Sequence, residues 1–239
     1  MARFTQSLQP NDPTIYTSDQ KLELGTTGVT PDGRKYRYGK QNASTAALVG
    51  KLYQAVAQTT GWQSLSVAAA AIGSKTVTTT STMTATLNLL AGGYLVVNTN
   101  VGIGWTYKIA GNTACSGAVC TITLEDPIQV ALDTTSTVDL VANPFSAIEI
   151  WDSSNHDATV VGVAASPIPA SDYGWYQIKG PCGVLVDSGG IAVGLDVSAS
   201  DDVDGAVGPL EEEATSVYVG RAMTAASSTE YGMVDLNIA

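Results

Sequence analysis

Basic residues are scarce in this sequence: 11 Lys and Arg stand against 22 Asp and Glu, a formal net charge of −11. Such a chain lacks the cationic phosphate contacts that supply most nucleic-acid affinity, and anionic membrane surfaces disfavour it for the same reason. Neither nucleic acid nor membrane is therefore expected as a partner. No apolar run approaches the roughly 20 residues that a membrane helix requires. The richest stretch, SLSVAAAAIG, is short and ends on Gly73. The opening MARFTQSLQP has neither an apolar h-region nor a cleavage-site pattern, so synthesis in the cytoplasm is expected.

Cysteine is also sparse, and its number is odd: three residues. Cys115 and Cys120 flank SGAV, a tight hairpin connection that would bring them close enough for a cross-strand bridge. Cytoplasmic synthesis makes free thiols the default for them. Two cysteines without a nearby histidine do not supply the four ligands of a zinc site. Cys182, inside GPCGVLV, reads as a small core residue.

Catalytic signatures are missing as well. The one histidine, His156, lies in DSSNHDATV, a polar turn. Asp152, Ser153, Ser154 and Asp157 surround it, but near neighbours in sequence rarely assemble a triad, and no G-x-S-x-G elbow occurs. VGIGWTYKI contains G-x-G without the third glycine or a Gly-Lys-Ser/Thr ending, so a tight turn or bulge is expected there. Asp201, Asp202 and Asp204 in SDDVDG resemble a fragment of a calcium loop. Counted from Asp202 the twelfth residue is Glu213, but the sixth is Val207 where the loop needs glycine. These aspartates and Glu211–Glu213 read as solvated loop. No catalytic residue, cofactor site or metal site can be named, and the chain is not expected to be an enzyme.

What is present is strand signal. Thr is dense in SKTVTTTSTMTATLNLL, and β-branched residues suit exposed strand faces. Tyr176, Ile178, Val184 and Val186, then Val217 and Val219, then Val234, Leu236 and Ile238 alternate with other residues between Gly-rich breaks. The expected fold class is all-β, an antiparallel barrel or sandwich core with an extended N-terminal arm and one short helix. Pro10, Pro13 and Pro31 place residues 1 to 40 in the arm, so the chain from 41 onward should fold without it. The helix is expected through ALVGKLYQAVAQ, with Asn42 or Ser44 as its cap and Leu48, Leu52, Tyr53 and Val56 at helical spacing. Three regions follow: 1–60, arm and helix; 61–165, β-rich; and 166–239, C-terminal β, with one continuous β domain from 61 as the alternative. VAASPIPASD, Val163 to Asp172, is the best linker. AGGYLVVNTNVGIG and CGVLVDSGGIAVG are weakly similar, which admits an internal duplication with a boundary near 145–170.

One charged stretch stands out. Arg34, Lys35, Arg37 and Lys40 are four of the 11 cations, with Tyr36 and Tyr38 among them, all in GRKYRYGK. The bland account is a solvated strand or turn. The sharper one is a docking element for an acidic partner surface.

Two blocks carry a resemblance. GWYQIKGPCGVLV, then VGRAM, then a terminal MVDLNI, resembles the C-terminal barrel of the decoration, or cement, proteins on tailed-bacteriophage heads. DGRKYRYGKQNASTAALVGKLYQAV is similar to the segment that precedes the β core in such proteins. The blocks cover about residues 25–58 and 170–239. The resemblance implies a structural virion protein on the outer capsid surface, with the major capsid protein as partner. It also implies homotrimers that bridge neighbouring shell subunits, with Gly33 to Lys40 as the capsid-binding segment. The rival expectation is a tail- or fibre-associated module holding a host glycan through Trp62, Trp105, Trp151 or Trp175.

Overall fold

Runs of alternating or β-branched residues, punctuated by glycine, become strands along the whole chain. The computed structural model describes residues 5–155, 158–210 and 217–238. The first strands are β1 (Gln6–Ser7), β2 (Thr27–Val29), β3 (Lys35–Lys40) and β4 (Leu52–Gln54). Next come β5 (Leu65–Ser66), β6 (Thr76–Thr78), β7 (Met83–Ala85), β8 (Tyr94–Thr99), β9 (Thr106–Asn112), β10 (Cys115–Ala118), β11 (Thr121–Leu124) and β12 (Thr137–Val141). The last are β13 (Glu149–Ile150), β14 (Val160–Ala164), β15 (Tyr173–Leu185), β16 (Asp196–Ala199), β17 (Val207–Pro209), β18 (Tyr218–Ala222) and β19 (Tyr231–Asn237). The fold is all-β.

The chain forms two units, one made of Met1–Ala57 and Pro144–Ala239, the other of Gln58–Asn143. The second is contiguous. Its main sheet runs β5-β12-β8-β9-β11-β6. A bridge between Val67 and Thr79, with Ala68 N–H donating to the Thr78 carbonyl at 2.9 Å, joins the two ends of that order into a ring. Closure leaves no long open edge, which protects a β protein from edge-to-edge pairing. Leu95, Ile109, Ile122 and Leu140 fill the interior at zero exposure. The ribbon of β7 with β10 adds Met83, Ala85 and Cys115 to the same core.

In the discontinuous unit the sheet order is β1-β2-β3-β15-β19-β18-β16-β17, with β14 branching from β15 and followed by β4 and β13. A bridge from Val186 to Val207 links β17 back to the end of β15, curling the last strands around Val184, Val197, Val219, Val234 and Leu236. β15 is long enough to serve two sheets. Its first half pairs with β3 and β14, and its second half with β19. The change falls at a bulge between Gln177 and Lys179, where Gln177 Nε2 donates to the carbonyls of Lys179, Gly180 and Pro181 at 3.2, 3.1 and 2.9 Å. The neighbouring Gly180 sits at φ +88°, a conformation that a side chain would strain.

Four expectations from sequence give way here. Residues 5–40 are no arm: β3 lies between β2 and β15 in the sheet, so this stretch is part of the unit's own architecture. The helix after Asn42 does not form. Asn42 Oδ1 accepts from the N–H groups of Ser44 and Thr45, as a cap would, but Gly50 then turns at φ +73° and Leu52–Gln54 extends between β13 and β14. Tertiary pairing overrides a helical spacing of only four apolar residues. Val163 to Asp172 is a connection within one unit, since Val163 and Ala164 belong to β14 and Ile168 is fully buried. The changes of unit fall after Ala57, close to the expected boundary at 60, and after Asn143, well before the one expected at 165. Cys115 and Cys120, with Cα atoms 5.7 Å apart, form a disulfide where free thiols were the default.

Candidate partner-binding surface

KYRYGK alternates because it is a strand. Tyr36 and Tyr38 face inward, packed with Leu8 and Trp175. The Tyr38 and Trp175 rings meet edge-on at 5.2 Å, and the Tyr38 hydroxyl accepts from the Lys21 N–H at 3.1 Å. Burial raises the Tyr36 phenol above its usual value. Arg37 projects from the opposite face and donates to Gly25 O at 3.0 Å and Thr27 Oγ1 at 2.7 Å, with its guanidinium 5.9 Å from the Phe145 ring centre. Arg34 Nε donates to Asp32 Oδ2 at 2.7 Å. Bonds from Thr30 and then Arg34 hold the Asp32 carboxyl below its usual value. Lys40 lies 5.4 Å from the Tyr173 ring. Of the six residues singled out in sequence, Tyr36 and Tyr38 are therefore core, and Arg34, Arg37 and Lys40 have intramolecular contacts. Lys35 alone of the six is classed as exposed.

A different surface emerges on the other side of β15. Along β19, Gly232, Val234 and Leu236 are buried, so Tyr231, Met233, Asp235 and Asn237 face out. Tyr231 is 55% and Met233 40% exposed, and Val49 beside them is 53% exposed. Gly50 makes this possible: a Cβ there would stand 2.6 Å from the Tyr231 ring. These residues, with Pro10, Pro13 and Pro181, line an open groove of about 710 Å³. The signal was present in YGMVDLN. Once Val234 and Leu236 are assigned inward, a tyrosine and a methionine are left outside, and apolar residues on an outer face mark interaction surfaces. Cys182 borders the groove, and burial pushes its thiol up to about 12, so it carries no thiolate near neutral pH.

The remaining candidates have structural partners or lie outside the described residues. Ser154 donates to Asp152 Oδ1 at 2.6 Å, and Ser153 to Asp204 Oδ1 at 2.8 Å. Asp202 accepts from Ser188 at 2.7 Å. His156, Asp157 and Glu211–Glu213 lie outside the described residues. Among the described residues no group of three His, Cys, Asp or Glu is placed to hold a metal ion, and no helix is long and apolar enough to cross a membrane. Trp62, Trp151 and Trp175 are buried, whereas Trp105 is 43% exposed and stacks on Tyr107. Comparison with protein-family models, with curated proteins and with solved structures finds no match to this chain.

Proposed function

We propose that this chain is a structural virion protein, a decoration protein that binds the outer surface of an icosahedral phage head and bridges neighbouring capsid subunits. The observation that supports it is the meeting of the two blocks that resemble such proteins. They are far apart in sequence, yet β3 from the first pairs with β15 from the second from Lys40–Tyr173 to Lys35–Lys179. Both belong to the discontinuous unit, and the contiguous unit is inserted between them. Its entry and exit are adjacent, because β4 and β13 pair through Gln54–Glu149 and Tyr53–Ile150. Insertions are tolerated where the ends lie close together. The resemblance therefore describes one folded body and not two scattered fragments.

On this reading the protein acts as a homotrimer, the major capsid protein is its partner, and many weak contacts add through avidity. Cryo-electron microscopy of the virion tests it. Density at regular positions on the outer shell is the expected result, and a shell without it, with the protein on the tail or missing from particles, overturns the reading. Trp105 favours a second reading, a tail-associated glycan binder, because its ring is the exposed one of the four tryptophans. Glycan-array binding that disappears in Trp105→Ala would select that alternative.

A further inference from the structure

We propose that the outer face of β15 and β19 docks an extended segment of a partner protein, acidic at one end and apolar at the other. This builds on the attachment reading above and names the surface and the partner chemistry. Strand register determines what the face displays. Lys35 stands opposite Lys179, and Lys179 opposite Asn237. The following rows set Pro181 against Asp235, Gly183 against Met233, and Leu185 against Tyr231. Residues directly opposite one another project from the same face, and like charges in that position destabilise a sheet.

Neither Lys35 nor Lys179 has a carboxylate within ion-pair distance among the described residues. Asp235 stands one row away, opposite Pro181 on one side and Arg221 on the other, and makes no ion pair with either lysine. Two adjacent unanswered cations in a chain of net charge −11 form a local anion-attracting spot. The other end of the face is apolar. Tyr231 and Met233 join Val49 in the groove, and Met223, 48% exposed, is tied alongside by its N–H to the Met233 carbonyl at 2.8 Å. Tyrosine and methionine are enriched at protein interfaces, and the unbranched methionine adapts to varied partners.

Geometry sets the spacing in the ligand. Lys179 and Leu185 are the ends of the shared register with β19, so the basic and apolar ends lie about 20 Å apart at roughly 3.3 Å per strand residue. An extended partner should carry its carboxylates about six residues from its apolar anchors. A nucleic acid satisfies the lysines but not Tyr231, Met233 and Val49, and the net charge opposes it.

Panning the full-length protein against a random twelve-residue peptide library, with fluorescence anisotropy on the enriched peptides, tests this. The expected consensus has at least two Asp or Glu five to seven positions from two apolar residues. Affinity should fall at least tenfold in Met233→Asp and in the Lys35→Glu, Lys179→Glu double variant, and should weaken as salt rises. Lys35→Glu alone should weaken binding while raising the melting temperature, because it turns the like pair into an opposite one; a purely structural role would move both in one direction. No enrichment, or enriched peptides indifferent to these variants, overturns the proposal. Self-association that Met233→Asp abolishes, seen by sedimentation, overturns it in favour of a second copy as occupant. The stated peptide binding together with bare shells by microscopy overturns the decoration reading alone.

Discussion

The contiguous and the discontinuous unit solve the same problem with different means. Gln58–Asn143 closes its ring within one continuous stretch of chain and fills it with one apolar core. The other unit joins two distant segments and divides its apolar residues into three clusters. Both units also contain buried polar bonds: in the contiguous one Asn112 Oδ1 accepts from the Leu90 N–H and Thr79 Oγ1 from the Cys120 N–H, each at 2.9 Å, and the discontinuous one has its own set. Tyr176 donates to Gln41 Oε1 at 2.6 Å, Gln41 Nε2 donates to Thr45 O at 3.0 Å, and Gln177 holds the bulge. Apolar filling is non-directional and tolerant, whereas a buried hydrogen bond is lost whole when one partner goes. Both units contain bonds of that kind, so what separates them is connectivity: the discontinuous unit depends on pairing β3 with β15 across an inserted unit, and the contiguous one does not.

Deleting residues 1–40 is the most severe way to break that contrast. It removes β3 with two buried tyrosines and leaves the first half of β15 without one partner. Losing a buried aromatic costs about 3–5 kcal/mol, so two exceed much of the roughly 5–15 kcal/mol that holds a domain folded. Slow-exchanging amides in β15 and β19 should disappear while those of β8, β9 and β12 persist. Protected amides in β15 of the truncated chain would contradict this. The next largest effect belongs to the contiguous unit. Ile109→Ala, at a fully buried position, should cost about 2–5 kcal/mol, read as faster exchange in β8, β9 and β11.

Legibility followed the same division. Val234 and Leu236 alternate with Met233, Asp235 and Asn237, and period-two patterning was enough to place them in a strand with one buried face. KYRYGK has the same period, but its cations drew attention to its charge, and its role as a central strand depends on β15, more than a hundred residues later. No local signal encodes that pairing. The helix expected after Asn42 failed for a related reason: its cap is real, but the next residues are taken by strands from beyond the insertion. The docking face was half visible, since alternation exposes Tyr231 and Met233 but says nothing of Lys179 meeting Lys35.

The disulfide gives a smaller effect, confined to the contiguous unit. Cys115 and Cys120 are five residues apart, and closing so short a loop removes about 2 kcal/mol of unfolded-state freedom. The Cys115→Ser, Cys120→Ser double variant should lose about that much, with a lower urea midpoint and an unchanged slope. An unchanged midpoint would show that the link adds nothing beyond the packing of β7 against β10.

The smallest expected effect separates two exposed carboxylates, one in each unit. Asp133 and Asp32 are both held below the usual 3.8. For Asp133 the causes are hydrogen bonds, first from the Thr135 hydroxyl and then from the N–H groups of Thr135 and Ser136. For Asp32 the Thr30 hydroxyl comes first and the Arg34 guanidinium second. A carboxyl with a lowered folded pKa contributes stability above its unfolded value and loses it as pH falls through the folded one. Both units should therefore lose some stability on acidification below about pH 4. Arg34→Ala should tell the two apart, because it removes a donor from Asp32 and leaves every donor of Asp133 in place. In a carboxyl-carbon NMR titration, Asp32 should move up toward 3.8 in that variant while Asp133 stays. An unmoved Asp32 would mean that the Arg34 guanidinium adds nothing there, and that the Thr30 hydroxyl sets its value.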